Sequence, residues 1–427
     1  MPKKTYRPRV SDALLQEILG SSGAVLIEGP KWCGKTTSAE QIANTVVKLD
    51  APDTQEQNLL MARTSPGRLL MGKPPVLLDE WQLAPRLWDA VRFEVDQRNE
   101  FGQFILTGSA VPADMSQVHH SGAGRIARMQ MRPMSLYESG ESSGEISLAS
   151  LFAGEHQIEA VCGMELEMLA FLIARGGWPG AIDQTERVAL RQARQYFDTI
   201  AHVDISRADG IHRSASIATT LLRSYARLVG TQSKMTQIVE DVRANEITGI
   251  SVDTVASYLE VLRMIFVIEE AENWTPSLRS KALLRAAKTR YFTDPSIAAA
   301  AFGAGPQELI DDLPTMGYLF ENMAMRDLRV YADALDGKVY HYLDRNGREV
   351  DAIIRLRNGR YGLVEIKLGG DLQSVDEGAA NLIKFASLVN TDRSPAPSFM
   401  MVLTGLGQFA YRREDGVCVV PLGTLKP

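Results

Sequence analysis

The residues Gly29-Pro30-Lys31-Trp32-Cys33-Gly34-Lys35-Thr36, followed by Thr37, fit the spacing G-x-x-x-x-G-K-[ST]. Glycines at both ends let the chain turn so that backbone N–H groups converge on the phosphates of a nucleoside triphosphate. Lys35 would reach the β- and γ-phosphates, and the Thr36 hydroxyl would coordinate Mg²⁺. A helix starting here would add its positive end to the same anion site. The chemistry expected is binding of Mg·ATP. Cys33 reads as a tolerated loop residue, not a redox switch.

Three further groups could act on the γ-phosphate. Asp79 and Glu80 end the apolar run Val-Leu-Leu. The first acid can hold the Mg²⁺ shell, and the second can polarise an attacking water. That pair predicts hydrolysis rather than passive binding. Thr107 and Ser109 end the run Ile-Leu-Thr-Gly-Ser, where a hydroxyl can hydrogen-bond the γ-phosphate or the water, with Ser109 taking the role. Arg125 could stabilise charge developing on the γ-phosphate, in cis or across a subunit boundary. Arg128, Arg207 and Arg213 compete with it.

A phosphate loop needs a strand before it and a helix after it. Residues 24–29, AVLIEG, read as a buried strand, and SAEQIANTV after the loop has helical character. TVVKLD (45–50), PPVLLDEWQ (74–82) and GQFILTGSA (102–110) read as further strands, separated by helical stretches. That alternation predicts an α/β fold with a parallel sheet covered on both faces. The Ser/Gly/Glu-rich stretch 138–149 marks a boundary. From 151 to about 230 the pattern is helical, broken by RGGWPG (175–180), which reads as a tight turn with a packed tryptophan. In 216–273, a Thr248-Gly249 turn, a Ser251 cap and Val255, Leu259 and Leu262 on one face give helix-turn-helix spacing, then a strand, as in a winged helix. Residues 291–427 read α/β, with strands at KVYHYLD, EVDAIIRL, YGLVEIKL and SFMMVLTG. The expected domains are 1–140, 141–214, 215–290 and 291–427.

Bulk properties narrow the possibilities. With 427 residues, several domains are expected. The 45% hydrophobic and 23% charged composition excludes disordered and collagen-like classes. No apolar run approaches the roughly 18 residues of a membrane span. The basic MPKKTYRPRV is followed by no apolar stretch of the signal-peptide kind. Cys33, Cys162 and Cys418 form neither a disulfide framework nor a zinc pattern, so a cytoplasmic location is expected. His119-His120 has no metal-ligand partner at helical spacing and reads as a polar surface loop. A net charge of -6 argues against a surface broadly coated for nucleic acid, though it leaves room for a local basic groove.

Taken in order, GPKWCGKTT, LLDEWQ, ILTGS, the AGR segment, MRPMSLYE, RGGWPG, TRYFTDPSI, GYLFEN, REVDAI and LVEIK give the chain a wider likeness. It resembles a prokaryotic AAA+-like P-loop ATPase family whose members carry an ATPase core, a winged helix and a C-terminal domain of unknown function. The resemblance covers nearly the whole chain, with Trp32 and Cys33 as unusual loop fillers. It implies ATP and Mg²⁺, and often a homo-oligomer. Asp351 and Glu365-Ile-Lys367 also look like the PD-(D/E)xK nuclease pattern, with Glu321 on a preceding helix as an extra acid. Strand alternation places Glu365 and Lys367 on one face, and an adjacent strand can bring Asp351 beside them. Glu321, Asp351 and Glu365 would then bind Mg²⁺ while Lys367 steadies the nucleophile. The bland alternative is a solvated face with a cross-strand ion pair.

Two functions follow. One is a Mg-dependent ATPase that acts on DNA through its winged-helix and restriction-endonuclease-like domains. The other is a nucleotide-gated protein-interaction switch whose C-terminal acids are structural.

Overall fold

The apolar runs at Ala24–Glu28, Val76–Asp79 and Phe104–Gly108 become strands because each is buried on both faces. The computed structural model describes residues 5–109, 120–155, 158–208, 210–245, 247, 249–275, 287–389 and 395–427. The chain divides into two units: Met1–Pro133 with Ile200–Ala215 and Tyr258–Val267, and Met134–Thr199 with Ser216–Ser257 and Ile268–Pro427.

In the first unit the strands are β1 (Ala24–Glu28), β2 (Thr45–Lys48), β3 (Val76–Asp79), β4 (Phe104–Gly108) and β5 (Ile126–Gln130). They form one parallel sheet in the order β2-β3-β4-β1-β5. Side chains alternate across it. Ala24, Leu26, Val76, Leu78, Phe104 and Leu106 fill one face. Val25, Ile27, Leu77 and Ile105 fill the other. Each such Leu or Ile contributes about 1.5–3 kcal/mol of burial. β5, an edge strand carrying Arg128 and Gln130, lacks the apolar run that marks the others.

This order places β4 between β1 and β3. All five strands end on one edge, so Gly29, Asp79 and Ser109 meet there from distant parts of the chain.

The second unit contains β6 (Ile146–Ser147), β7 (Ala160–Val161), β8 (Gly337–Leu343), β9 (Glu349–Leu356), β10 (Tyr361–Lys367), β11 (Phe399–Thr404), β12 (Phe409–Arg412), β13 (Cys418–Pro421) and β14 (Leu425–Lys426). Seven form a mixed sheet in the order β7-β12-β13-β11-β10-β9-β8. β8, β9 and β10 run antiparallel, and β11 joins β10 in parallel. The helix Leu372–Leu388 makes that crossover and seals one face with Val375, Ala379, Leu382 and Phe385.

Ahead of this sheet lie helices Ala215–Arg227, Met235–Asn245 and Val252–Met264. Ser251 Oγ accepts the Thr254 N–H at 3.0 Å, the expected cap, and Val255, Leu259 and Leu262 are fully buried. Thr248 lies outside the described residues. Where a continuous strand was expected next, the described residues make isolated antiparallel bridges, Ile268 to Phe292 and Ala271 to Thr289.

RGGWPG is a buried turn. Gly177 N–H donates to Asp294 Oδ2 at 2.9 Å, and Trp178 Nε1 donates to Ser296 Oγ at 2.9 Å. Arg326, with its side chain 1% exposed, spans Asp294 at 2.8 Å and Asp327 at 2.7 Å. Asp327 also accepts the Leu136 N–H at 2.9 Å. A Cβ on Gly177 would sit 2.1 Å from Met134 O, so only glycine fits. The motifs MRPMSLYE, RGGWPG, TRYFTDPSI and the helix after GYLFEN are thus one polar knot. Among the described residues, no helix is long and apolar enough to cross a membrane.

Candidate functional site

The phosphate loop leaves β1 at Gly29 and enters the helix Lys35–Glu40 through Gly34, whose φ is 102°. An ideal Cβ on Gly29 would lie 2.0 Å from Met131 O, so the loop starts against backbone that no side chain could approach. Lys35 is buried, and its Nζ donates to Gly29 O at 2.9 Å and Pro30 O at 2.7 Å. Lys31 pairs with Asp204 at 2.5 Å. Trp32 is exposed, at φ 66°. Cys33 is buried with Sγ 3.6 Å from Met131 O. Thr37 follows in the helix's first turn.

Opposite the loop, Asp79 Oδ1 accepts Thr36 Oγ1 at 2.7 Å and Thr107 Oγ1 at 2.6 Å. Two hydroxyls and a carboxylate therefore converge from three segments. Glu80 follows in a left-handed conformation (φ 57°, ψ 45°), a backbone strain of about 1 kcal/mol or more for a non-glycine residue. Gln82 Nε2 donates to its carboxylate. Burial pushes the Glu80 carboxyl above the usual range, against the lowering by Gln82 and nearby Lys35. Ser109 is buried just beyond β4.

Arg125 is placed differently from the cis role considered for it. It precedes β5 and its carbonyl accepts the Ala24 N–H, at the sheet edge where β1 begins. At about 3.3 Å per residue, the strand separates it from the loop by roughly 15 Å. Its guanidinium pairs with Asp96 at 2.8 Å. As placed, the side chain is paired away from the loop. Arg128 pairs with Glu28 at 2.7 Å, buried Arg213 donates to Ile205 O at 3.2 Å, and Arg207 is exposed. His120 is exposed, its carbonyl accepting Trp88 Nε1 at 2.9 Å, and His119 lies outside the described residues.

The C-terminal acids also come together. Asp351 on β9 accepts the Ile366 N–H of β10 at 2.7 Å. Glu365 accepts Asn381 Nδ2 at 2.6 Å and pairs with Lys367 at 3.2 Å. Glu321 accepts the Tyr291 hydroxyl at 2.5 Å. Burial and then the Asp351 charge push Glu365 up to about 8, and the same two causes drive Glu321 well above the carboxylate range. Burial also raises Asp351. Buried His341 bonds Glu349 at 2.9 Å beside this group. Each carboxylate is turned to its own partner. Among the described residues, no three His, Cys, Asp or Glu side chains converge to hold a metal ion. Tyr291, His341 and Asn381 carry no spacing signal, because tertiary packing alone brings them here.

Residues 21–140 match a family model described as an AAA domain. Residues 166–308 and 316–425 match two domains of unknown function, DUF8612 and DUF4143. Uncharacterized proteins of Mycobacterium tuberculosis and Mycobacterium bovis are 21% identical over 365 residues, covering 84% of this chain and 73% of theirs. Among solved structures, Thermotoga maritima RuvB matches at 14% identity and a TM-score of 0.24, over 61% of this chain and 86% of its own. Drosophila ORC bound to DNA matches at 12% and 0.18, over 68% and 84%. Both structural likenesses are slight. Matching model, loop and sheet together make residues 21–140 an ATP-binding segment of the AAA type.

Proposed function

We propose that the protein is a Mg²⁺-dependent ATPase in which Lys35 and the loop N–H groups bind the triphosphate and Glu80 activates water. The observation that carries this reading is the meeting of Thr36, Asp79 and Thr107 beside Glu80 at the strand ends. The hydroxyl and carboxylate oxygens of Thr36 and Asp79 suit a hard cation. Mg²⁺ held there would neutralise charge across the β- and γ-phosphates. Glu80, when ionised, is a stronger base than an ordinary carboxylate, because burial raises its proton affinity. Ser109 and Thr107 would orient the water or the γ-phosphate. Arg125 would serve only across a subunit boundary. Mixing two inactive variants, Arg125→Ala and Lys35→Ala, should then restore turnover, and no complementation would remove Arg125 from the site.

The finer reading adds DNA as the polymer acted upon. It is favoured by the carboxylate cluster with Lys367, behind helices with helix-turn-helix spacing, which we read as a winged helix ahead of a PD-(D/E)xK-like domain. As arranged, the acids do not fit a metal ion, so no hydrolytic step is assigned to them. The competing reading is a nucleotide-gated switch that binds a protein partner. ATP hydrolysis measured with and without DNA separates them, since stimulation that fades with salt supports DNA. No stimulation, with no divalent-dependent cleavage in wild type or Asp351→Ala, favours the switch.

A further inference from the structure

The phosphate loop is gripped from a segment far upstream in the chain. Arg9 is 7% exposed, and its guanidinium forks between two main-chain carbonyls. Nη1 donates to Cys33 O at 2.7 Å and Nη2 to Arg132 O at 2.8 Å. Arg9 is itself preset. Its N–H donates to Asp12 Oδ2 at 2.8 Å, and the same carboxylate accepts the Tyr6 hydroxyl at 2.7 Å. Tyr6 in turn lies 2.9 Å from Ser38 Oγ, on the helix that leaves the loop. The wall at residues 131–132 thus supports the loop twice, by direct contact at Gly29 and through Arg9 at Cys33.

A trans peptide plane holds its C=O and its following N–H on opposite sides. Fixing the Cys33 carbonyl on Arg9 therefore fixes where the Gly34 N–H points, which is away from Arg9. Gly34 is the second glycine of the phosphate-binding spacing, so its N–H is one of the donors that must face the anion. A planar fork with several N–H groups can hold two carbonyls at once in fixed directions; an ammonium cannot reproduce that geometry.

We propose that Arg9 is a positioning residue for phosphate binding, setting the Cys33–Gly34 peptide so that its N–H faces the bound triphosphate. The proposal rests on the ATP-binding reading and deepens it. Because the group acts through the loop rather than on the base, Mg·ATP and inorganic triphosphate should be affected alike.

Calorimetry with both probes, alongside steady-state hydrolysis and circular dichroism, tests it. Arg9→Ala should weaken both probes about tenfold or more, raising KM by a similar factor while kcat at saturation changes less than about threefold. Millimolar guanidinium should restore part of the lost affinity, and Arg9→Lys should recover little. A folded Arg9→Ala that binds triphosphate as the wild type does overturns the proposal. So does weakened ATP with unchanged triphosphate, or a loss in kcat alone. If Arg9→Ala fails to fold, Arg9→Lys decides: weakened triphosphate binding supports the proposal, and wild-type binding overturns it. Lys35→Ala reports the underlying reading separately. Unchanged triphosphate binding there removes both, whereas loss there with intact binding in the Arg9 variants overturns Arg9 alone.

Discussion

The strand ends of the two sheets surround their carboxylates differently. In the first unit, Asp79 is met by two hydroxyls, and Lys35 lies close enough to pull the Glu80 carboxyl down against burial. On the proposed function, the loop N–H groups around it would add donors for an anion. In the second unit, burial and neighbouring acids raise Glu321, Asp351 and Glu365, with Lys367 opposing the rise at the last two. Burial there favours the protonated form of each acid, with Glu365 raised to about 8. Burial raises Glu80 as it raises the second group, so the two acidic motifs differ in surroundings: hydroxyls and Lys35 meet the first, and several buried carboxylates crowd the second.

The largest effect should come from removing the cation at the donor site. Lys35→Ala should weaken Mg·ATP binding by about 100-fold or more, since it deletes charge-assisted hydrogen bonds to phosphate. Equilibrium binding checks it, and near-normal affinity would break the contrast drawn above. Glu80→Gln should keep binding within a few fold and cut kcat by about 10²–10⁴, the usual contribution of a general base. Turnover at the wild-type rate would remove Glu80 as the base.

What was legible in the sequence follows the same divide between local and distant. The loop's chemistry lies on adjacent residues, so Gly29 to Thr37 could be read directly. The runs AVLI, VLL and FIL were readable because both faces of their strands are buried. β5 was not, since an edge strand needs no such run. Alternation put Glu365 and Lys367 on one face, and the structure pairs them. Arg9, Asp204 and Arg326 act across long stretches of chain, where no spacing rule applies. RGGWPG stood out as a motif, yet its partners Asp294 and Asp327 emerge only from packing.

The knot around Arg326 tests whether the second unit tolerates unpaired charge as poorly as its buried acids imply. Arg326→Met leaves Asp294 and Asp327 without their cation inside the core. Breaking such a pair costs about 3–5 kcal/mol. Chemical denaturation should show the loss, and a change below about 1 kcal/mol would mean that the backbone donors alone suffice.

The smallest effect, and the sharpest test of the contrast, concerns pH. Glu365 is raised from 4.5 to about 8 by burial, by Asp351 and against the pull of Lys367 and Asn381. A carboxyl raised in the folded state binds its proton more tightly there than in the unfolded chain. Its stabilising contribution is therefore complete below about pH 4.5 and is lost as pH rises through 8. Stability should fall between about pH 5 and 9 through this group. Glu365→Gln, which keeps the shape and cannot ionise, should flatten that slope and be the more stable form at about pH 9. Parallel pH profiles for the two proteins would place Glu365 among ordinary ionised carboxylates and erase the difference between the two sites.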